Sequence, residues 1–315
     1  MEPLQIAIIG LGGFAGSHHS AVRGLEAEGK CRLICTCDPN PAAFEQQMRD
    51  WDFAGRGVRV FDNYVSMLDG CASELDAVTI ATPVPLHSEM HRACVERGLP
   101  VYLEKPPTLD WRELEEMIAA DQSASKLTHV GFNFIDDPVR HVLKQRILEG
   151  EFGDILKIGL KCAAPRPRSY YKRASWAARL MMDGRLVLDS CMGNAMAHLV
   201  HNVLFWGGEG QVLSWAPIRS AKAELYRAHD IEGIDTVFTS AVLESGAKLD
   251  LALTHACEGQ YPTLEWLVCE KATIRYVIGG EYSIDWNDGR AESGPAGKQN
   301  WLAYNMAGYL DYVRG

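Results

Sequence analysis

Up to about residue 131 the chain alternates short apolar runs with stretches whose apolar residues recur at helical spacing. The runs are Leu4–Gly10, Cys31–Asp38, Val58–Phe61, Asp76–Ala81, Leu99–Leu103 and Thr128–Gly131. They are short and apolar almost throughout, which predicts strands buried on both faces. Between them, Ala15–Glu28, Pro41–Trp51, Pro85–Arg97 and Trp111–Ala120 predict helices, with Pro41 and Asp110 as start signals. Such alternation predicts a doubly wound parallel sheet. After Asp136-Asp137-Pro138 the pattern changes to a helix over His141–Leu148, an apolar run Ile155–Cys162 and an irregular stretch to about Arg185. A helix around Met192–Phe205 follows, then strands at Val212–Pro217, Thr236–Leu243, Lys248–His255, Leu264–Glu270, Ala272–Ile278 and Tyr282–Trp286. Strands without intervening helices predict a largely antiparallel sheet, one face packed on helices and the other on a partner subunit.

A chain of 315 residues has room for two domains. With 31 basic against 41 acidic residues the net charge is −10, a field that repels nucleic acid. The start, MEPLQIAIIGLGG, shows neither the positive region nor the cleavage site of a leader, and no apolar segment is long enough for a membrane span. Nine scattered cysteines form no C-x-x-C pair, so reduced thiols and a cytoplasmic location are expected. Cys31, Cys35 and Cys37 sit on one predicted strand, where small apolar thiols are common, and no metal is assigned to them.

Gly10-Leu11-Gly12-Gly13-Phe14-Ala15 follows a predicted strand and opens a helix. Gly10 permits the tight turn, Gly12 lets backbone approach a pyrophosphate, and Ala15 keeps helix and strand close, while the helix start offers N–H groups to phosphate. Asp38 ends the second strand 26 positions after Gly12, where a carboxylate accepts from ribose hydroxyls and repels a 2′-phosphate. The expected cofactor is therefore NAD, with NADP less favoured; Arg49 and Arg56 leave some tolerance for the latter. Residues 1–131 are expected to form a Rossmann NAD-binding domain. Residues 132–315 are expected to form an α+β domain for substrate binding and oligomerisation, giving a fold class of α/β plus α+β. Ala81-Thr82-Pro83-Val84-Pro85-Leu86-His87 lies at the carboxyl end of another strand, placing Thr82, Pro83 and His87 among the cofactor-side residues. His87 and His91 have the spacing of a two-histidine metal face, but no third ligand is indicated and an exposed helix surface is expected.

Leu103-Glu104-Lys105-Pro106-Pro107 ends the fifth strand and brings Lys105 to the nicotinamide end of such a fold, with Glu104 orienting its neighbours. With the glycine fingerprint, the ATPVPLH segment and the change to an antiparallel domain, this motif resembles the Gfo/Idh/MocA oxidoreductases, which include inositol dehydrogenases and glucose-fructose oxidoreductase. The resemblance implies that Lys105 lies between nicotinamide and substrate and moves the hydroxyl proton as hydride transfers. A free lysine, with a pKa of about 10.4, is a poor base at neutral pH unless burial or a nearby cation lowers it. Protonated, Lys105 would instead stabilise a developing alkoxide.

The family carries a D-x-G-x-H stretch in its second domain. Here Asp189 matches, and the family histidine position falls on Gly193. Asn194 is adjacent and can bond a substrate hydroxyl; His198, at i+4 on a continuous helix, either substitutes for the missing histidine or is a buried structural one. This form, together with Tyr170-Tyr171-Lys172-Arg173-Ala174-Ser175-Trp176-Ala177-Ala178-Arg179, is similar to a branch of sugar or polyol oxidoreductases. Six cations and no carboxylate between Lys161 and Arg179 suggest a substrate lid for a polyol or acidic sugar, with Tyr171, Arg173 and Trp176 as contacts. A loop anchored on the acidic body or on another subunit is the other reading. Glu232, Asp235, Thr254 and His255 fall at later strand ends and are left unranked. The chain's ending, Tyr309–Gly315, comes earlier than in typical members, where a further segment returns toward the first domain.

The resemblance implies an NAD-dependent dehydrogenase acting on a secondary alcohol of a sugar, inositol or related polyol. Lys105 would act on the oxygen, and Asp189 or Asn194 would hold neighbouring hydroxyls. The alternatives are a redox-neutral enzyme that cleaves glycosides or epimerises with NAD held tightly, and a dinucleotide-binding sensor without turnover. No nucleic-acid or membrane partner is expected; a homodimer or homotetramer is, because the antiparallel sheet needs cover on its outer face.

Overall fold

The computed structural model describes residues 2–182, 184–297 and 301–315. The chain divides into two compact units, Met1–Gly131 with Leu302–Gly315, and Phe132–Trp301.

The first unit is built on six parallel strands, β1 (Leu4–Ile9), β2 (Cys31–Cys37), β3 (Arg59–Phe61), β4 (Ala77–Ile80), β5 (Val101–Leu103) and β6 (His129–Val130), in the order β3-β2-β1-β4-β5-β6. Strand order reverses between β1 and β4, and in such sheets ligands bind outside the carboxyl ends of the strands at that point. The central strands are buried on both faces. Ile6 and Ile8 join a core with Val22 and Leu25 of α1 (Ala15–Ala27), while Ala7 and Ile9 join Val78, Ile80, Met67 and Met90 on the other side.

The expected helix at Pro41–Trp51 opens as a 3₁₀ turn over Pro41–Phe44 before α2 (Glu45–Asp50), and that at Pro85–Arg97 opens as a 3₁₀ turn over Val84–Leu86 before the helix proper. Short helices α3 (Phe53–Arg56) and α4 (Tyr64–Cys71) were not anticipated; α4 is started by Asn63, whose side chain accepts the Ser66 N–H. Then come α5 (His87–Val95) and α6 (Trp111–Gln122), the latter capped by Asp110 through the Arg112 N–H.

The second unit holds α7 (Pro138–Leu148), β7 (Ile155–Ala163), a small hairpin of β8 (Met181–Met182) and β9 (Arg185–Leu186), and α8 (Ala197–Trp206). It continues through β10 (Ile218–Tyr226), β11 (Thr236–Leu243), β12 (Lys248–Thr254), β13 (Leu264–Cys269), β14 (Ala272–Val277), β15 (Glu281–Trp286) and β16 (Ala291–Pro295). The large sheet runs β10-β11-β12-β7-β13-β14-β15-β16, with every neighbour antiparallel except β7 and β12. Alternate residues such as Ile158, Leu160, Leu249, Leu251, Leu267 and Ile274 form one core with Leu143, Leu199, Val203 and Trp206. Inside it, Arg140 of α7 forks onto Glu265 of β13 at 2.5 and 3.2 Å, and the same carboxylate accepts from Trp206 Nε1 at 2.6 Å. The predicted strand at Val212–Pro217 is instead a series of bends leading into β10, whose nine residues are all exposed and so lack the alternation that marks a half-buried strand.

The second domain expected over 132–315 ends earlier. The last helix, α9 (Leu302–Arg314), buries Leu302, Met306, Tyr309 and Leu310 in the core that contains Ile6 and Ile8. Tyr102 Oη also donates to Asn305 Oδ1 at 2.6 Å. The expectation that the chain stops before a segment returning toward the first domain is therefore corrected: this helix makes that return.

Candidate active site

The residues singled out on the first unit lie at the carboxyl ends of its strands. Gly10, after β1, has φ +115°, and a Cβ there would stand 2.8 Å from the Ala81 carbonyl oxygen and 3.4 Å from the Ala15 methyl. Only glycine combines that backbone with that approach. A Cβ on Gly12 would run into the Phe44 ring at 2.8 Å, and Gly13 has φ +58°. Phe14 begins α1 with no side-chain cap, so no side chain competes for the helix start. Asp38, half-buried at the end of β2, accepts the Leu11 N–H at 3.2 Å and the Asn40 N–H at 3.0 Å, which ties its carboxylate to the glycine turn. The two arginines weighed for a 2′-phosphate are occupied: Arg49 with Glu45 and Gln46, Arg56 with Glu26 at 2.6 Å and the Trp51 carbonyl.

Two adjacent histidines on α1 were missed by sequence reasoning. His19 Nε2 donates to the Gly10 carbonyl at 3.0 Å and its ring stacks on Trp51 at 4.5 Å. Burial lowers its pKa to about 4, although the Gly10 carbonyl favours the charged form. His18, fully buried, donates through Nε2 to Glu104 Oε1 at 2.8 Å, and Glu104 Oε2 accepts the Lys105 N–H at 3.1 Å. The only available signal was their place one turn into the helix that follows the glycines.

His87 is also fully buried, contrary to the exposed surface expected for it and for His91. Its Nε2 faces the Thr82 carbonyl at 2.8 Å and its Nδ1 faces the carbonyls of Pro106 and Pro107 at 3.0 and 3.2 Å. His87 therefore ties the Thr82-Pro83 strand end to the lysine turn and offers no ring nitrogen to a cofactor. Burial lowers its pKa against those carbonyls, which favour the charged form. His91 is buried against Asp121 and Thr128. Among the described residues no group of three or more His, Cys, Asp or Glu is arranged to hold a metal ion. Cys31, Cys35 and Cys37 are buried free thiols, and desolvation pushes Cys31 and Cys37 up to about 12.

On the second unit, Asp189 is a hub. Its Oδ2 accepts the Ala178 N–H at 2.6 Å, its Oδ1 accepts Asn194 Nδ2 at 2.8 Å, and Arg173 Nη2 lies 3.7 Å away. Ala178 and Leu188, on either side of this contact, have φ of +60° and +47°, conformations that cost about 1–3 kcal/mol each in non-glycine residues. The expected continuous helix is broken: Cys191–Ala195 form a π turn, Ser190 Oγ accepts the Gly193 N–H at 2.8 Å, and α8 begins at Ala197. The i, i+4 relation between Asn194 and His198 assumed an unbroken α-helix and does not carry across this turn. His198 is buried, its ring stacked on Phe134 at 3.9 Å and edge-on to Phe132.

The cation-rich stretch is tied to its own unit. Arg173 lies over the rings of Tyr170 at 4.0 Å and Trp176 at 4.7 Å and donates to the Tyr170 carbonyl, while Arg179 lies 3.8 Å from Glu232. Tyr171 packs on His229, and His255 Nδ1 donates to the Ala164 carbonyl at 2.8 Å. Asp235 accepts from His229 (backbone and ring), Ala228 and Thr236; burial opposes ionisation, and these donors outweigh it to hold its pKa below the ordinary value. Of the four residues left unranked, Asp235 is thus the anchor of a turn, and Thr254 bonds Thr236 at 2.7 Å.

Residues 4–132 match the family described as "Oxidoreductase family, NAD-binding Rossmann fold". An inositol 2-dehydrogenase of Rhizobium meliloti is 26% identical over 180 residues, 56% of this chain and 51% of that protein. A scyllo-inositol 2-dehydrogenase (NAD(+)) of Bacillus subtilis is 32% identical over 155 residues, 48% of this chain and 42% of that one. The chain thus spans about half the length, or less, of these curated relatives. Among solved structures, the WlbA dehydrogenase of Chromobacterium violaceum, in complex with NADH and UDP-GlcNAcA, superposes with a TM-score of 0.75 at 26% identity. That match covers 88% of this chain and 74% of the other.

Proposed function

We propose that the chain, whose residues 4–132 match the NAD-binding Rossmann domain of the Gfo/Idh/MocA oxidoreductases, belongs with that family and is an NAD-dependent dehydrogenase of a secondary alcohol on a sugar, inositol or related polyol. The observation that carries the reading is the convergence of the Gly10 turn, Asp38 and the Lys105 turn at the carboxyl ends of one parallel sheet.

The glycine turn fits a dinucleotide, because side chains at Gly10 and Gly12 would collide with their neighbours and the helix start carries no side-chain cap. Gly10, Gly12, Gly13, Phe14 and Ala15 would hold the pyrophosphate, Asp38 the adenine ribose, and Thr82, Pro83 and Glu104 the cofactor side of the next strand ends. Asp38, with Arg49 and Arg56 engaged elsewhere, favours NAD over NADP. Bound NAD supplies the hydride acceptor.

Lys105 accepts the hydroxyl proton as the carbinol carbon is oxidised, and in the reverse direction donates it to the carbonyl oxygen. We assign the proton step to this residue because Asn194 has no exchangeable acid or base and His198 is buried flat against Phe134. Asp189 orients Asn194 toward substrate hydroxyls, and Tyr171, Arg173 and Trp176 supply an aromatic and cationic surface suited to a polyol or an acidic sugar. The outward face of the large sheet, which carries Phe238 and Trp266, would be covered by a second copy in a homodimer or homotetramer.

The test is formation of reduced nicotinamide from NAD or NADP with a panel of inositols, free sugars, sugar acids and UDP-activated sugar acids. Net NADH formed from one class supports the dehydrogenase. Gly193 at the family histidine position favours a second reading, a redox-neutral enzyme or a sensor. Tight NAD binding with no net NADH on any compound would select it.

A further inference from the structure

We propose that His18 is a positioning residue for Lys105, carrying the geometry of the first turn of α1 through the Glu104 carboxylate to the lysine backbone. The proposal rests on the reading of Lys105 as the residue that moves the proton.

The chain of contacts is short and buried. His18 Nε2 donates to Glu104 Oε1 at 2.8 Å, Glu104 Oε2 accepts the Lys105 N–H at 3.1 Å, and the Glu104 N–H is fixed to the Ile80 carbonyl of β4 at 2.9 Å. Glu104 is 7% exposed and His18 is fully buried. A carboxylate so far from water depends on its hydrogen-bond donors. Phe14 at 5.6 Å and Tyr102 at 5.7 Å meet the His18 ring edge-on and fix its plane.

His19, the next residue, sits roughly 100° around the helix and bonds the Gly10 carbonyl instead. One turn of α1 therefore sets both the dinucleotide turn and the lysine turn, through different side chains. His87 holds the following residues, Pro106 and Pro107, from the Thr82 side. Prolines lack an N–H, so in Lys105-Pro106-Pro107 the Lys105 amide is the only one, and Glu104 is its acceptor.

That single amide gives a direct readout. Hydrogen exchange at Lys105 would be measured in the full chain, with NAD affinity by titration, for wild type, His18→Leu, His18→Gln and Glu104→Gln. We expect His18→Leu to speed Lys105 exchange by about tenfold or more while amides of β1 and β4 stay unchanged. His18→Gln, which keeps an N–H donor, should bring exchange back to within about threefold of wild type, and NAD affinity should stay within about threefold in both. On a compound that turns over, kcat should fall in His18→Leu and recover in His18→Gln, with the KM for NAD held. If His18→Leu does not fold, Glu104→Gln should show the same local speeding. Unchanged exchange at Lys105, equal speeding of all amides, or a Gln variant no better than Leu would overturn the proposal. Local speeding alongside a Lys105→Ala protein of wild-type turnover would uphold the positioning and overturn the reading of Lys105 instead.

Discussion

At the lysine turn the backbone is held by buried imidazoles: His18 through Glu104, His87 through two proline carbonyls, and His19 at the neighbouring glycine turn. At the Asp189 turn a carboxylate is the hub, with the Ala178 N–H and Asn194 as donors, residues of positive φ beside it and a π turn after it. The first arrangement keeps its positive-φ positions on glycine and closes around glycine and proline. The second holds strained backbone in place by charge-assisted hydrogen bonds. The two turns thus differ in the group at their centre, imidazoles at the first and a carboxylate at the second.

Perturbing each half in turn sharpens the contrast. The largest expected effect on folding lies in the second unit. Glu265→Gln leaves Arg140 buried and without a carboxylate, and should destabilise that unit by about 3–5 kcal/mol in denaturant melts, with little change in the first unit. Asp189→Asn places an amide opposite the Ala178 and Asn194 donors. Substrate KM should rise about 10- to 100-fold while NAD affinity stays as it was, and a parallel loss of NAD affinity would break the division between the halves. Asp38→Ser should do the reverse, weakening NAD by about tenfold and narrowing the preference over NADP without altering substrate KM at saturating cofactor.

Acid should give the smallest and most graded response. Among the described residues, His19, His87, His91 and His129 of the first unit and His201 and His255 of the second have lowered pKa values, in each case chiefly through burial; His19 falls to about 4 and His201 to about 3. The unfolded chain binds these protons first, so the stabilisation is complete above an unfolded value of about 6.5 and is lost as pH falls below it. Thermal melts from pH 7 to 4 should therefore show both units weakening and the first weakening more. A His19→Phe variant should flatten the slope for the first unit.

The parallel sheet, the glycine turn, Asp38 and the lysine turn were legible because each depends on local pattern: apolar runs, positive-φ glycines and prolines. The histidine clamps were not, since a buried imidazole in a helix reads like any polar residue until its distant partner, Glu104 or Pro106, is known. In the second unit β10 escaped detection because all nine residues are exposed, and in the first unit α9 did so because the core it joins, with Ile6 and Ile8, is built from the opposite end of the chain. The break at Met196 was illegible for a related reason: Ser190 bonds the Gly193 N–H and the Asp189 network winds the chain as a π turn where helical spacing alone would continue an α-helix.

The most direct test is turnover by Lys105→Ala beside wild type, with the compound from the panel that yields reduced nicotinamide and with NAD affinity measured by titration on both. We expect kcat to fall by about 10²- to 10⁴-fold with NAD affinity nearly unchanged. Wild-type turnover in the variant would contradict the assignment of the proton step to Lys105.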